Sequence, residues 1–254
     1  MTPTAYVALS ILALFLLTMP VFAILSRNRP VDEDVARRPT TPILGTWVRD
    51  WLMWLISPLE RVLVAWRVSP DFFNYVGGVL GLAAGVFYAK GDISVGGWLI
   101  LLGGLADIID GRIARARGIG SDYGEFLDSM MDRFAEVFAF AGLAVFFEPF
   151  PWAIVATVVA LGGSLMVSYA RAKGEAVKVD CRGGIMQRAE RLVLLAGASL
   201  IDRPMTSYFG WHYGWVLLGV IAIIGLGSMG TAVYRTVYIA RALKRMEPPR
   251  EQSA

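Results

Sequence analysis

Mostly apolar runs about as long as a bilayer is thick recur along almost the whole chain, and no other feature narrows its possible folds so far. A hydrocarbon core about 30 Å thick takes roughly 20 apolar residues of helix. Seven stretches meet or approach that length: residues 5–25, 72–89, 93–113, 123–147, 152–172, 185–201 and 215–242. In lipid, backbone polar groups must be satisfied within their own segment, so runs of this kind form helices. A composition that is 56% hydrophobic and only 18% charged, with mean hydropathy +0.56, agrees that lipid is the main solvent. The expected class is all-α, a polytopic membrane helical bundle.

The first run is preceded by "MTPTAY", which has no positive charge, and is followed by Arg27, Arg29, Arg37 and Arg38. That polarity reads as a retained anchor with its N-terminus outside, not as a cleaved signal peptide. The next segment, "WVRDWLMWLISPLERVLVAWRV", mixes Trp, Leu and Ile at helical spacing with Arg49, Asp50, Glu60 and Arg61, the pattern of an amphipathic helix lying on the membrane surface. "EPFP" at 148–151 and "DRP" at 202–204 are expected to break helices on the outer side. Lys and Arg then test the topology. Three (Arg112, Arg115, Arg117) follow the third span, six (Arg171, Lys173, Lys178, Arg182, Arg188, Arg191) the fifth, and five (Arg235, Arg241, Lys244, Arg245, Arg250) the last; the opposite side has two, Lys90 and Arg203. The positive-inside bias places the basic side in the cytoplasm of a bacterial-type inner membrane. The expected organisation is an anchor and linker over 1–43, an interfacial helix over 44–68, a six-helix core over 69–245 and a polar tail over 246–254.

One cysteine, Cys181, excludes an internal disulfide, and one histidine, His212, leaves little for zinc chemistry, so any metal is held by carboxylates. A formal charge of +3 gives no reason to expect nucleic acid as a partner.

Carboxylates appear where lipid-facing residues would otherwise continue. Asp107 and Asp110 are three apart, within roughly 60° on a helix, and Asp128 and Asp132 are four apart on the next, within roughly 40°. Each costs about 2.5–3.5 kcal/mol inside a membrane when unpaired. Arg115 and Arg133 are candidates to neutralise them as interfacial ion pairs. Like charges placed twice at helical spacing repel, however, and the repetition points to a divalent cation between them. Oxygen-only ligands favour Mg²⁺, Mn²⁺ or Ca²⁺ over zinc, and Mg²⁺ held by a few carboxylates commonly also binds phosphate. Gly111, Ala114 and Gly124 keep the same faces open to a headgroup, or serve close helix packing.

Written out, these residues read D-x2-D-G-x2-A-R-x8-G-x3-D-x3-D, eight fixed positions over 26 residues. The pattern matches the signature of the CDP-alcohol phosphatidyltransferases, and the resemblance extends from about residue 69 to 245. It implies a six-helix membrane core, here with an added N-terminal span. It also implies transfer of a phosphatidyl group from CDP-diacylglycerol to an alcohol, with release of CMP, in phospholipid biosynthesis. Carried over by position, Asp107, Asp110, Asp128 and Asp132 would surround Mg²⁺ or Mn²⁺, with Asp132 also the general base. Asp107, Gly111, Ala114, Arg115 and Gly124 would hold the donor. "SPDFFN" resembles the family's P-[ND]-x-x-T element, with Asn74 in place of threonine, and adds Asp71 and Asn74 as donor contacts; Pro70 opening a helix with Asp71 in its first turn fits the same residues. Relatives form homodimers, which is expected here too.

The basic stretch "SYARAKGEAVKVDCRGGIMQRAERLVLL" bears on the acceptor. A polybasic connection attracts anionic headgroups and enforces topology. Arg171, Arg188 and Arg191, however, adjoin helices that open on the side of the aspartates, and a phosphorylated acceptor needs fork-like donors. The segment is similar to that of bacterial phosphatidylinositol phosphate synthases, with the cations at Arg171 and Lys173 exchanged. The similarity implies inositol phosphate as acceptor, gripped by Arg171 and Arg191 with Arg235 a further contact, and Arg188 joins them as a candidate by its position; glycerol 3-phosphate is the alternative. A non-enzymatic scaffold or a cation transporter is the opposing class. A transport path would need polar positions toward the outer side, and "FAFAGLAVFF" after Glu136 offers none.

Overall fold

The computed structural model describes residues 10, 13, 16–36 and 45–246. Part of the expected first span and all but the first residue of the polar tail therefore lie outside the described residues. Nine α-helices carry the remainder: α1 Thr18–Leu25, α2 Glu33–Ala36, α3 Thr46–Ala65, α4 Pro70–Ala89, α5 Ile93–Arg117, α6 Asp122–Phe146, α7 Pro151–Ala176, α8 Arg188–Phe209 and α9 Trp215–Met246. There is no strand among the described residues, and the chain is an all-α membrane bundle of the expected class. The amphipathic segment is α3, a little shorter than the 44–68 expected, with Pro58 inside it.

Four of these helices, α4, α5, α7 and α9, are long and apolar enough to cross a membrane. Seven spans were expected. Helices α6 and α8 have the length, at 25 and 22 residues, but carry charges along their basic-side halves. Those charges are matched across helices, so a count based on hydropathy alone passes over them.

"DRP" does not end α8 as expected. The helix starts at Arg188, not near residue 185, and runs through Pro204 to Phe209, where Gly210 takes the left-handed conformation (φ +68°) that releases the chain. Asp202 is fully buried, and its two carboxylate oxygens accept the backbone N–H groups of Gly214 (2.8 Å) and Leu217 (2.9 Å). It thus satisfies donors at the start of α9 that have no intrahelical partner. "EPFP" behaves as expected, with Pro151 in the first turn of α7.

Helix α4 lies against both α5 and α6, α9 packs on α7 and α8, and α8 also lies against α5. The α4–α6 contact depends on small residues: a Cβ on Gly142 would overlap the backbone of Gly85. Lipid supplies no hydrophobic drive between helices, so close backbone approach provides the cohesion. Large apolar side chains such as Tyr88, Leu143, Phe147, Leu217 and Ile221 fill the end of the bundle away from the Lys- and Arg-rich one. Helices α5 and α6 make little direct contact with each other, and the basic end is left to the polar groups.

Candidate active site

Two consecutive helices deliver the four aspartates. Helix α5 ends at Gly118, in the left-handed conformation (φ +62°), and α6 starts after Ser121, whose hydroxyl accepts the Gly124 N–H at 3.1 Å. The tight reversal turns the two helices back alongside one another, so the three- and four-residue spacings on each face a common space. Carboxylate oxygens of Asp107, Asp110 and Asp128 all lie within 4.8 Å of one another. Asp110 is 6% exposed, and its Oδ2 has no hydrogen-bond partner.

Asp132, one turn further along α6, pairs with the Arg188 guanidinium, which also reaches Asp107 at 2.9 Å. Arg133 lies 3.6 Å from Asp132 and 3.5 Å from Glu136, and Glu136 accepts from Arg191 at 2.7 Å. Acid and base thus alternate from Asp107 to Arg191. Opposite charges are brought into contact where solvent screens them only in part, which offsets the cost of holding them among apolar helices. Glu136 was passed over as a site residue. Its position four after Asp132, continuing the same face, was the available signal.

These groups line one cavity of about 680 Å³, measured with its open mouth. Asn74, Asp107, Asp110, Asp128, Asp132, Arg188 and Arg191 are on its wall, and its deep end is formed by Leu99, Ile100, Ala139, Phe140 and Leu195. Asn74 is 6% exposed, with its Oδ1 unpartnered. Asp71 is close to Gly124: a Cβ there would be 3.9 Å from Asp71 Oδ1. A Cβ on Gly111 would be 3.0 Å from Arg115 Nη1, so the Arg115 guanidinium is folded back over the residue after Asp110. Ala114 is half-buried and is not on the cavity wall.

The four arginines expected at the acceptor separate into two pairs. Arg188 and Arg191 are on the cavity wall, whereas Arg171 and Arg235 are not. Arg171 is exposed and pairs with Glu175 at 2.9 Å on its own helix. Arg235 is 4% exposed and donates to the carbonyls of Gly183 (2.9 Å), Val167 (2.9 Å) and Arg182 (3.4 Å), pinning the 177–187 loop to α7 and α9. Arg115 does not neutralise the aspartates either; its partner is Asp34, at 2.9 Å.

Comparison with known proteins bears on these residues. The family model described as CDP-alcohol phosphatidyltransferase matches residues 67–233. The phosphatidylinositol phosphate synthase of Streptomyces avermitilis is 31% identical over 225 residues, covering 85% of this chain and 88% of that one. The solved phosphatidylinositol phosphate synthase of Mycobacterium tuberculosis with CDP-DAG bound superposes with a TM-score of 0.62 at 25% identity, covering 72% of this chain and 92% of that one. Its complex with manganese and citrate gives 0.63 at 25% identity, covering 72% and 88%.

Proposed function

The chain belongs to the CDP-alcohol phosphatidyltransferase family and is a membrane-embedded transferase; on that premise we propose that it moves the phosphatidyl group of CDP-diacylglycerol onto inositol phosphate and releases CMP. The observation that carries the reading is the joint presence, in one cavity, of a three-carboxylate cluster, the carboxylates of Asp132 and Glu136, and the guanidiniums of half-buried Arg188 and buried Arg191.

Asp107, Asp110 and Asp128, with Asp132 at the edge, would hold Mg²⁺ or Mn²⁺; their all-oxygen donors and the unpartnered Asp110 Oδ2 suit a hard divalent cation. When bound, such a cation supplies charge stabilisation for the departing CMP phosphate. Asp132 takes the proton from the acceptor hydroxyl. The hydroxyl oxygen forms the new bond to the lipid-bearing phosphorus as the bond to the CMP oxygen breaks, and CMP leaves with that electron pair. Arg188 and Arg191 present planar donors to the acceptor's phosphate, a demand that serine or free inositol would not make. Asp71, Asn74, Gly111, Ala114, Arg115 and Gly124 would contact the donor; of these Asn74 is on the cavity wall.

The apolar deep end separates this reading from cation transport, because Leu99, Ile100, Phe140 and Leu195 offer an ion no path toward the outer side. The mouth lies at the end of the bundle that carries the Lys and Arg excess, which supports a site on the cytoplasmic face.

The test uses protein reconstituted in vesicles with labelled CDP-diacylglycerol and either cation. Inositol phosphate, glycerol 3-phosphate, serine and inositol are offered in turn. CMP release with inositol phosphate, stopped by EDTA, is expected. Release only with glycerol 3-phosphate reassigns the acceptor, and release with none of the four overturns the proposal.

A further inference from the structure

The segment that precedes the interfacial helix is fastened at several points and ends on the signature helix. Phe22 of α1 is fully buried between the rings of Trp47 and Trp54, with centroids 5.6 and 5.5 Å away, and Trp51 Nε1 donates to Thr18 Oγ1 at 2.9 Å. Beyond α1, the Asp32 N–H donates to the buried Asp50 of α3 at 2.9 Å, and Asp32 Oδ1 accepts the Asp34 N–H at 3.0 Å. Asp32 Oδ2 accepts from Arg112 at 3.1 Å, and Arg112 also donates to Glu60 of α3 at 2.5 Å. The backbone around Asp34 is therefore fixed on α3 and α5 independently of Asp34's own side chain.

That side chain lies 3.8 Å from Arg112 Nη1, and its hydrogen bonds are with Arg115. Arg115 Nε and Nη2 both donate to Asp34 Oδ2, at 3.1 and 2.9 Å. The Nη1 edge of the same guanidinium is directed at Gly111, next to Asp110. The carboxylate thus engages one edge of a planar fork and leaves the other against Gly111, beside the cavity-lining Asp110. Arg115 is 46% exposed, and a side chain that long, without an anchor, distributes over many rotamers in water. An anchor that fixes the plane removes an ordering cost that would otherwise fall on ligand binding.

We infer that Asp34 is a positioning residue for the donor: it holds the Arg115 guanidinium over Gly111, oriented to receive a phosphate oxygen of the nucleotide-activated lipid. This rests on the reading of Arg115 as a donor contact. The opposite possibility, that Asp34 competes with the donor's diphosphate for Arg115, predicts the opposite sign.

The experiment measures CMP release by the full chain in vesicles, titrating CDP-diacylglycerol and inositol phosphate separately for wild type, Asp34→Asn, Asp34→Glu, Arg115→Ala and the double variant Asp34→Asn with Arg115→Ala. We expect Asp34→Asn to raise the donor KM roughly three- to tenfold while kcat and the acceptor KM stay within about twofold, Asp34→Glu to restore most of the loss, and Asp34→Asn to add nothing once Arg115 is absent. A donor KM for Asp34→Asn that is unchanged or lower than wild type overturns the inference, as does an equal effect with and without Arg115. If Arg115→Ala leaves the donor KM unmoved, the donor role of Arg115 falls and the inference with it. If Arg115→Ala raises it and Asp34→Asn does not, only the inference falls.

Discussion

Neutralising one aspartate of the cluster should make the metal-free protein more stable while removing its response to metal. Asp107, Asp110 and Asp128 have oxygens within 4.8 Å of one another; at an effective dielectric of about 20, each such pair of charges repels by about 3.5 kcal/mol. Asp110→Asn removes two of the three pairs, about 7 kcal/mol as a ceiling. Arg188 already offsets part of this by its 2.9 Å contact with Asp107, and an Asn amide in place of the unpartnered Oδ2 can donate to a neighbouring carboxylate. A net gain of about 1–3 kcal/mol is expected, or a rise in Tm of roughly 3–10 °C in EDTA. Wild type with metal at about 100 times its Kd should gain about 2.7 kcal/mol over its metal-free form, and the variant should lose most of that gain. The one cysteine, Cys181, is buried, so a thiol-reactive dye reports unfolding of the detergent-solubilised protein directly. An Asp110→Asn protein that melts below wild type in EDTA, or that keeps the full Mn²⁺ shift, would refute the electrostatic account of the cluster.

Asp132→Asn should abolish CMP release with donor affinity held within about threefold; turnover that persists, measured by single-turnover release, removes the base assignment. Arg188→Gln should raise the KM for inositol phosphate more than the KM for CDP-diacylglycerol, whereas Arg171→Gln, which breaks only an exposed pair with Glu175, should leave both within about twofold; steady-state titrations distinguish the two. Arg235→Gln should act on stability, since its guanidinium bonds three carbonyls and hydrogen bonds to a charged group contribute about 1.5–3 kcal/mol each. A lowered Tm with unchanged KM values in the surviving protein is the expected outcome.

The aspartates were legible from sequence because two things suffice to place them: the covalent spacing along each helix and the short turn that reverses α5 into α6. The partners of the arginines were not legible, for the contrary reason. Arg115 meets Asp34 across 81 residues and Arg235 meets Val167 across 68, and nothing in the local pattern distinguishes a guanidinium that will face a ligand from one that will be used on backbone carbonyls. A strict hydropathy count drops α6 and α8 for a related reason, although both were among the seven expected runs. Hydropathy prices every charge on α6 and α8 as though it met lipid, while Asp132, Glu136, Arg188 and Arg191 meet one another. Pro204 was read as a stop because local rules make it one, yet packing carries α8 a further turn to Gly210.

The placement of the site follows from an imbalance in how the helices pack. Helix α4 holds both signature helices closely, through glycine contacts at Gly81 and Gly85 that admit the α6 backbone. The signature helices themselves make little direct contact with each other. Four carboxylates facing each other across a tightly closed seam would have no room for either counter-charge or ligand. A third helix that supplies the cohesion lets the seam stay open, and α8 can then insert Arg188 and Arg191 into it from the opposite side. The small residues of α4 and the acidic residues of α5 and α6 are therefore two halves of one device: close packing on one side of the pair is what permits a polar, accessible cavity on the other.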